Sequence, residues 1–191
     1  MLDFGPLRNH EVTLADMSRD LTKDDLRKLT NEMIDEMQTI TAGATDADVV
    51  FVPVDPQAKD TFGKVEDADL SWTLGHVIVH ATASSEESAA LASMLARGIP
   101  VEGRSRAEVP WETVHTVAQL RARLAESRRM RNAFLDTWPD EPNLELTYIP
   151  FPQAGPINAA GRVILGLMHD DGHLEQLREI MRQAQAVRAV R

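Results

Sequence analysis

His169 and His173 stand four residues apart in the segment Met168-His169-Asp170-Asp171-Gly172-His173-Leu174-Glu175-Gln176-Leu177. In a helix that interval stacks the two imidazoles one turn apart on the same face, the placement a divalent metal ion needs. His76 and His80 repeat the interval nearly a hundred residues earlier, so four of the six histidines form two such pairs. Offsets of three, four and seven residues bring Gly172, His173 and Gln176 round to the side of His169. Glycine inside a helix costs about 1 kcal/mol relative to alanine, a cost understandable where a ligand or a neighbouring helix comes close to the backbone. His80 follows Trp72 by eight residues within the apolar run from Leu74 to Ala83. Its ring is expected to point inward, where both nitrogens need partners. If the helix carrying His80 neighbours the one carrying the later pair, three neutral nitrogens meet and leave a coordination position open. That is the arrangement of catalytic rather than structural zinc, and related divalent ions can use it. Histidine pairs at this spacing also arise on ordinary solvated helix faces.

Four long helices are expected to position these residues. The first spans Lys23 to Ile40, with Thr22 as cap, Asp25 completing a capping box, and Leu26, Leu29, Met33, Met37 and Ile40 on one stripe. Residues 42 to 68 read as a long polar connection containing Pro53, Pro56 and Gly63, with Val49 to Val52 as one short strand. The second helix runs from near Ser71 to about Arg97 and stops at Gly98 and Pro100. A third covers Val117 to Thr137 behind a Thr116/Gln119 capping box. Five prolines between Pro139 and Pro156 forbid continuous helix there, and Leu144 to Tyr148 is strand-like. From Asn158 the last helix extends to about Val187. The pattern implies an all-α four-helix bundle with long connections, with room for a short β-hairpin or extra short helices, and a single domain over residues 1–191.

Composition limits the function classes. Thirty acidic against twenty basic residues give a net charge of -10, which repels phosphate backbones and argues against nucleic acid as a partner. With no cysteine, thiolate-ligated zinc and a cysteine nucleophile are excluded, so any thiol chemistry must borrow its thiol. The N-terminus lacks the basic and apolar regions of a signal peptide, and no apolar run approaches a bilayer span. A cytoplasmic protein without membrane contact is the expectation.

Trp72, seven residues, His80, and far downstream His169-x-x-x-His173-x-x-Gln176 together resemble the DinB/YfiT-like superfamily. The order of elements agrees over most of the chain, including a third helix introduced by Pro110-Trp111-Glu112. The resemblance implies a metal-binding four-helix bundle with His80, His169 and His173 as ligands and Gln176 as a polar neighbour steadying the site. His76, one turn before His80, is left as an outer-sphere group, a proton shuttle or a fourth ligand. The resemblance also implies a divalent ion, zinc or nickel first, iron or manganese next, and a possible homodimer. Relatives include transferases and isomerases that use bacillithiol, mycothiol or glutathione, so a transferase joining such a thiol to an electrophilic small molecule is the leading expectation. A hydrolase using metal-activated water and a metal-binding stress protein without catalysis are the alternatives.

Hydrolysis needs a base beside the metal. Asp170, Asp171 and Glu175 fall off the histidine stripe, whereas Glu87, seven residues after His80, returns to its face and is the catalytic candidate beside His76. Arg128, Arg129 and Arg131 can hold carboxylates of a thiol or substrate by bidentate bonds, or form a solvated face. Tyr148 and Trp72 can line the mouth of the site or pack in the core.

Overall fold

Local side-chain exchange with the backbone sets where the helices begin. The computed structural model describes residues 1–56, 58, 70–102 and 110–190. Two short helices, α1 (Gly5–Arg8) and α2 (Leu14–Ser18), precede α3 (Lys23–Ile40); α4 (Asp46–Val49), α5 (Leu74–Ala96), α6 (Val117–Asp136) and α7 (Ala159–Ala189) follow. Thr22 accepts from the N–H of Asp25 while Asp25 accepts from Thr22, and Thr116 and Gln119 repeat the exchange at α6. Asn158 caps α7 by accepting from Gly161 N–H. α5 begins three residues later than expected from the sequence because Thr73, not a residue before it, accepts from His76 N–H. Gly98, at φ 77°, ends that helix in the left-handed conformation that glycine adopts without strain.

The two expected strands do not form. Asp48 accepts from the N–H and hydroxyl of Thr45, so Val49 closes a helical turn and is fully buried. The segment from Leu144 to Tyr148 contributes only an isolated antiparallel bridge between Tyr148 and Ile157. Part of the polar connection between α3 and α5, including Gly63, lies outside the described residues.

α3, α5, α6 and α7 close into a ring in which α5 and α3 each touch both α6 and α7. Cross-helix contacts give the directions. Along α3 and α6 the pairs Arg27–Asp136, Asn31–Asn132 and Asp35–Arg128 run in opposite order, so these helices are antiparallel. His80–His169, Ser85–Gly166 and Glu87–Arg162 make α5 and α7 antiparallel. Thr82–Arg123 and Ser93–Thr137 make α5 and α6 parallel. Two consecutive helices that lie parallel need a crossover as long as the bundle, which accounts for the length of the connection between α5 and α6.

The core is built from helical stripes: Leu26, Met33, Ile34 and Met37 of α3; Leu74, Val77, Ile78 and Leu95 of α5; Leu120, Leu124 and Leu135 of α6; Ile164, Leu174 and Leu177 of α7. Leu29 and Ile40, also expected on the α3 stripe, pack at its margin. No helix among the described residues is long and apolar enough to cross a membrane.

Gly166 lets α5 and α7 approach. A Cβ there would lie 2.7 Å from Ser88 Cβ and 2.9 Å from its Oγ. Gly172 differs, because a Cβ there would meet nothing within 4 Å among the described residues. Packing of a neighbouring helix therefore does not explain Gly172; its position is open. The two glycines should respond oppositely to alanine. Overpacking costs about 1–3 kcal/mol, more than the ~1 kcal/mol of helix propensity gained, so Gly166→Ala is expected to destabilise by about 1–2 kcal/mol. Gly172→Ala is expected to stabilise by about 0.5–1 kcal/mol. Urea denaturation of both variants beside the parent checks the contrast; equal signs would contradict it.

Candidate metal centre

The antiparallel contact of α5 and α7 settles whether the histidines meet. Ser85 Oγ donates to the carbonyl of Gly166 at 2.9 Å, fixing the register. One to two turns further on, His80 Nε2 lies 3.0 Å from His169 Nε2. His173 completes the group, its ring centroid 5.1 Å from that of His80 and 4.8 Å from that of His169. One nitrogen from each ring falls within 4.8 Å of the others, and all three side chains are half-buried. No carboxylate joins this cluster among the described residues.

Gln176 settles which nitrogen His173 offers. His173 Nδ1 donates to Gln176 Oε1 at 2.9 Å, because a carbonyl oxygen can only accept. Nε2 of His173 is then the nitrogen with a lone pair, the state of a metal-ligating imidazole whose other nitrogen is held by a neighbour. His80 and His169 face each other through Nε2 at a separation near the about 3.3 Å expected between adjacent nitrogens of a tetrahedral site with ~2.0–2.1 Å bonds. Three nitrogen donors with one orienting partner suit a borderline divalent ion, so the residues present fit such a metal.

Aromatic rings wall the centre. Trp72 lies 4.6 Å from His80 and 5.9 Å from His173, centroid to centroid. It stacks on His76 at 4.4 Å, and His76 stacks in turn on Trp111 at 4.4 Å with the planes only 4° apart. His76 is therefore not among the three clustered histidines. It is the middle layer of an aromatic sandwich that braces Trp72 against the short 3-10 helix Trp111–Thr113.

Behind the histidines lies a charged pair that sequence reasoning did not identify. Asp170 is fully buried and Arg131 is 3% exposed, and Arg131 Nη1 donates to Asp170 Oδ2 at 2.5 Å. Burial pushes the Asp170 carboxyl up, opposed by the Arg131 guanidinium and the Ser85 hydroxyl. Asp170 does leave the histidine stripe as expected, but into the core. Asp171 instead pairs with Arg8, and Glu175 is exposed.

Four weaker candidates lie elsewhere. Arg131 is committed to Asp170 and Ser127 inside the bundle, where it is shielded from any cofactor in solvent. Arg128 ties α6 to α3 through Asp35 at 2.5 Å and Gln38 at 3.1 Å. Glu87 shares His80's face, but seven residues of helix carry it about 10 Å along the axis, and it pairs there with Arg162 at 3.9 Å. Tyr148 bridges to Ile157 before α7 begins, and the ten residues of α7 from Ala159 to His169 span about 15 Å of its axis. His10 and His115 are exposed.

A profile of the DinB superfamily matches residues 29–177, which contain all three clustered histidines and Gln176. Comparison with curated proteins and with solved structures gives no match.

Proposed function

The chain belongs to the DinB superfamily, and on that premise we propose that His80, His169 and His173 hold one divalent metal ion, zinc or nickel in first place, for transfer of a low-molecular-weight thiol to an electrophilic small molecule. The observation that carries this is the convergence of His80 Nε2 and His169 Nε2 at 3.0 Å, beside a His173 whose tautomer Gln176 holds. A bound ion would supply one chemical effect, lowering the pKa of a coordinated thiol so that thiolate is present near neutral pH. The protein contributes the rest. Gln176 orients His173, and Trp72 excludes water from one side of the histidines. With no cysteine in the chain, the thiol must be a separate molecule such as bacillithiol, mycothiol or glutathione. Hydrolysis is the less favoured reading, since Glu87 is held by Arg162 two turns away and no carboxylate among the described residues joins the cluster.

The test offers zinc- or nickel-loaded protein a chromogenic aryl halide with each of the three thiols in turn. Consumption is expected to require thiol and metal together and to vanish in His169→Ala. Ester hydrolysis without thiol would replace transfer by hydrolysis, and inactivity with every thiol would reduce the protein to a metal binder.

A further inference from the structure

A small cavity lies where the four long helices meet. Thr30 of α3, Ser85 of α5, Arg131 of α6 and Leu167 of α7 are among the residues lining it. All four are more than nine-tenths buried. The cavity leaves about 10 Å³ for the centre of a water-sized sphere, room for a single water molecule.

Arg131 points to its occupant. Its Nη1 donates to Asp170 and its Nε to Ser127 at 2.9 Å, but Nη2 is buried without a hydrogen-bond partner among the described residues. A guanidinium N–H left dry in a protein interior is strongly unfavourable. Ser85 has a single proton, for which the Gly166 carbonyl and the Asp170 carboxylate compete, so its oxygen keeps lone pairs to accept with. Thr30 adds a hydroxyl from the helix opposite. The Arg131 charge is already met by Asp170, so the remaining requirement is a neutral acceptor small enough for the space. We propose that this cavity is a binding site for one structural water, which accepts from Arg131 Nη2 and donates to the hydroxyl oxygens of Ser85 and Thr30. Three hydrogen bonds is the usual number for a buried water. Through it α3 joins the Arg131–Asp170 pair, which otherwise links α6 and α7 to each other and to Ser85 of α5. The site does not depend on whether the histidines take a metal.

A crystal structure at about 1.5 Å, with water-to-protein NOE measurements on the same full chain, tests the assignment. One well-occupied oxygen within hydrogen-bond distance of Arg131 Nη2 and both hydroxyls is expected, with long-lived water cross-peaks to the neighbouring buried protons. A dry cavity, an Arg131 rotamer that gives Nη2 a protein partner, or an anion identified by bromide exchange would each overturn it. Thr30→Val keeps the shape and removes one acceptor. Its water cross-peaks are expected to be lost or strongly weakened, and unchanged peaks would remove Thr30 from the site.

Discussion

His169→Ala is expected to strip the protein of metal. The substitution removes one of three nitrogens and also the partner that His80 Nε2 faces at 3.0 Å. Loss of an outer partner to a metal-ligating histidine costs about 10–100-fold in affinity, and loss of a ligand itself should exceed that. Gln176→Leu provides the graded comparison. It keeps all three imidazoles and removes only the acceptor that holds the His173 tautomer, so its affinity should fall within that ~10–100-fold range. Both variants should fold, because the three rings are half-buried and the apolar core does not include them. Elemental analysis of untagged protein purified without a nickel column, followed by competition with a chelator, gives the ranking. A second readout comes from Trp72, whose ring lies 4.6 Å from His80. Nickel should quench part of the tryptophan emission in the parent and none in His169→Ala. Parental metal content in His169→Ala would remove the three-histidine centre altogether. A Gln176→Leu defect as deep as that of His169→Ala would mean that Gln176 does more than orient.

What could be read from the sequence follows the range of the forces involved. Thr22 with Asp25 and Thr116 with Gln119 place helix starts correctly because capping is an exchange within four residues. Thr45 and Asp48 carry the same signal, and it overrides the strand propensity of the valine- and phenylalanine-rich run from Val49 to Val52. Helical phase put His169, His173 and Gln176 on one face, and Gln176 does bond His173. Phase carries no information about axial height, so Glu87 shares the face of His80 although seven residues of helix separate them by about 10 Å. That α5 and α7 are neighbours depends on contacts between distant segments, Ser85 and Ser88 against Gly166, that no local pattern reveals. Arg131 and Asp170 were within reach of sequence. Leu120, Leu124, Ser127, Arg131 and Leu135 share one core stripe, and Val163, Leu167, Asp170, Leu174 and Leu177 share another. Charged residues are almost never fully buried unless paired, so two charges of opposite sign, each on a core stripe, should have suggested the pair.

That pair carries the second large expected effect. Arg131→Met or Asp170→Leu alone should destabilise the bundle by about 3–5 kcal/mol, because each leaves one buried charge without its counter-ion. Against a total stability of about 5–15 kcal/mol for a domain, either loss is severe. The double variant is expected to recover most of it. Two apolar side chains of similar size meet in place of the ions, and neither desolvated charge remains to be compensated. The cycle therefore distinguishes two roles. If the pair stabilises the fold only by each partner neutralising the other, the double variant approaches the parent in urea denaturation. If the polar junction is required as such, through Ser127 and Ser85 as well as the two ions, the double variant falls as far as the sum of the singles. We expect the first result for stability. The cost of removing the pair should appear instead at the histidines. Asp170 immediately follows His169 on α7, and its partner Ser85 also fixes the register of α5 against α7. A double variant that is stable but binds metal more weakly than the parent would show that the buried pair positions the centre rather than holding up the fold. Unchanged affinity would confine the pair to helix packing.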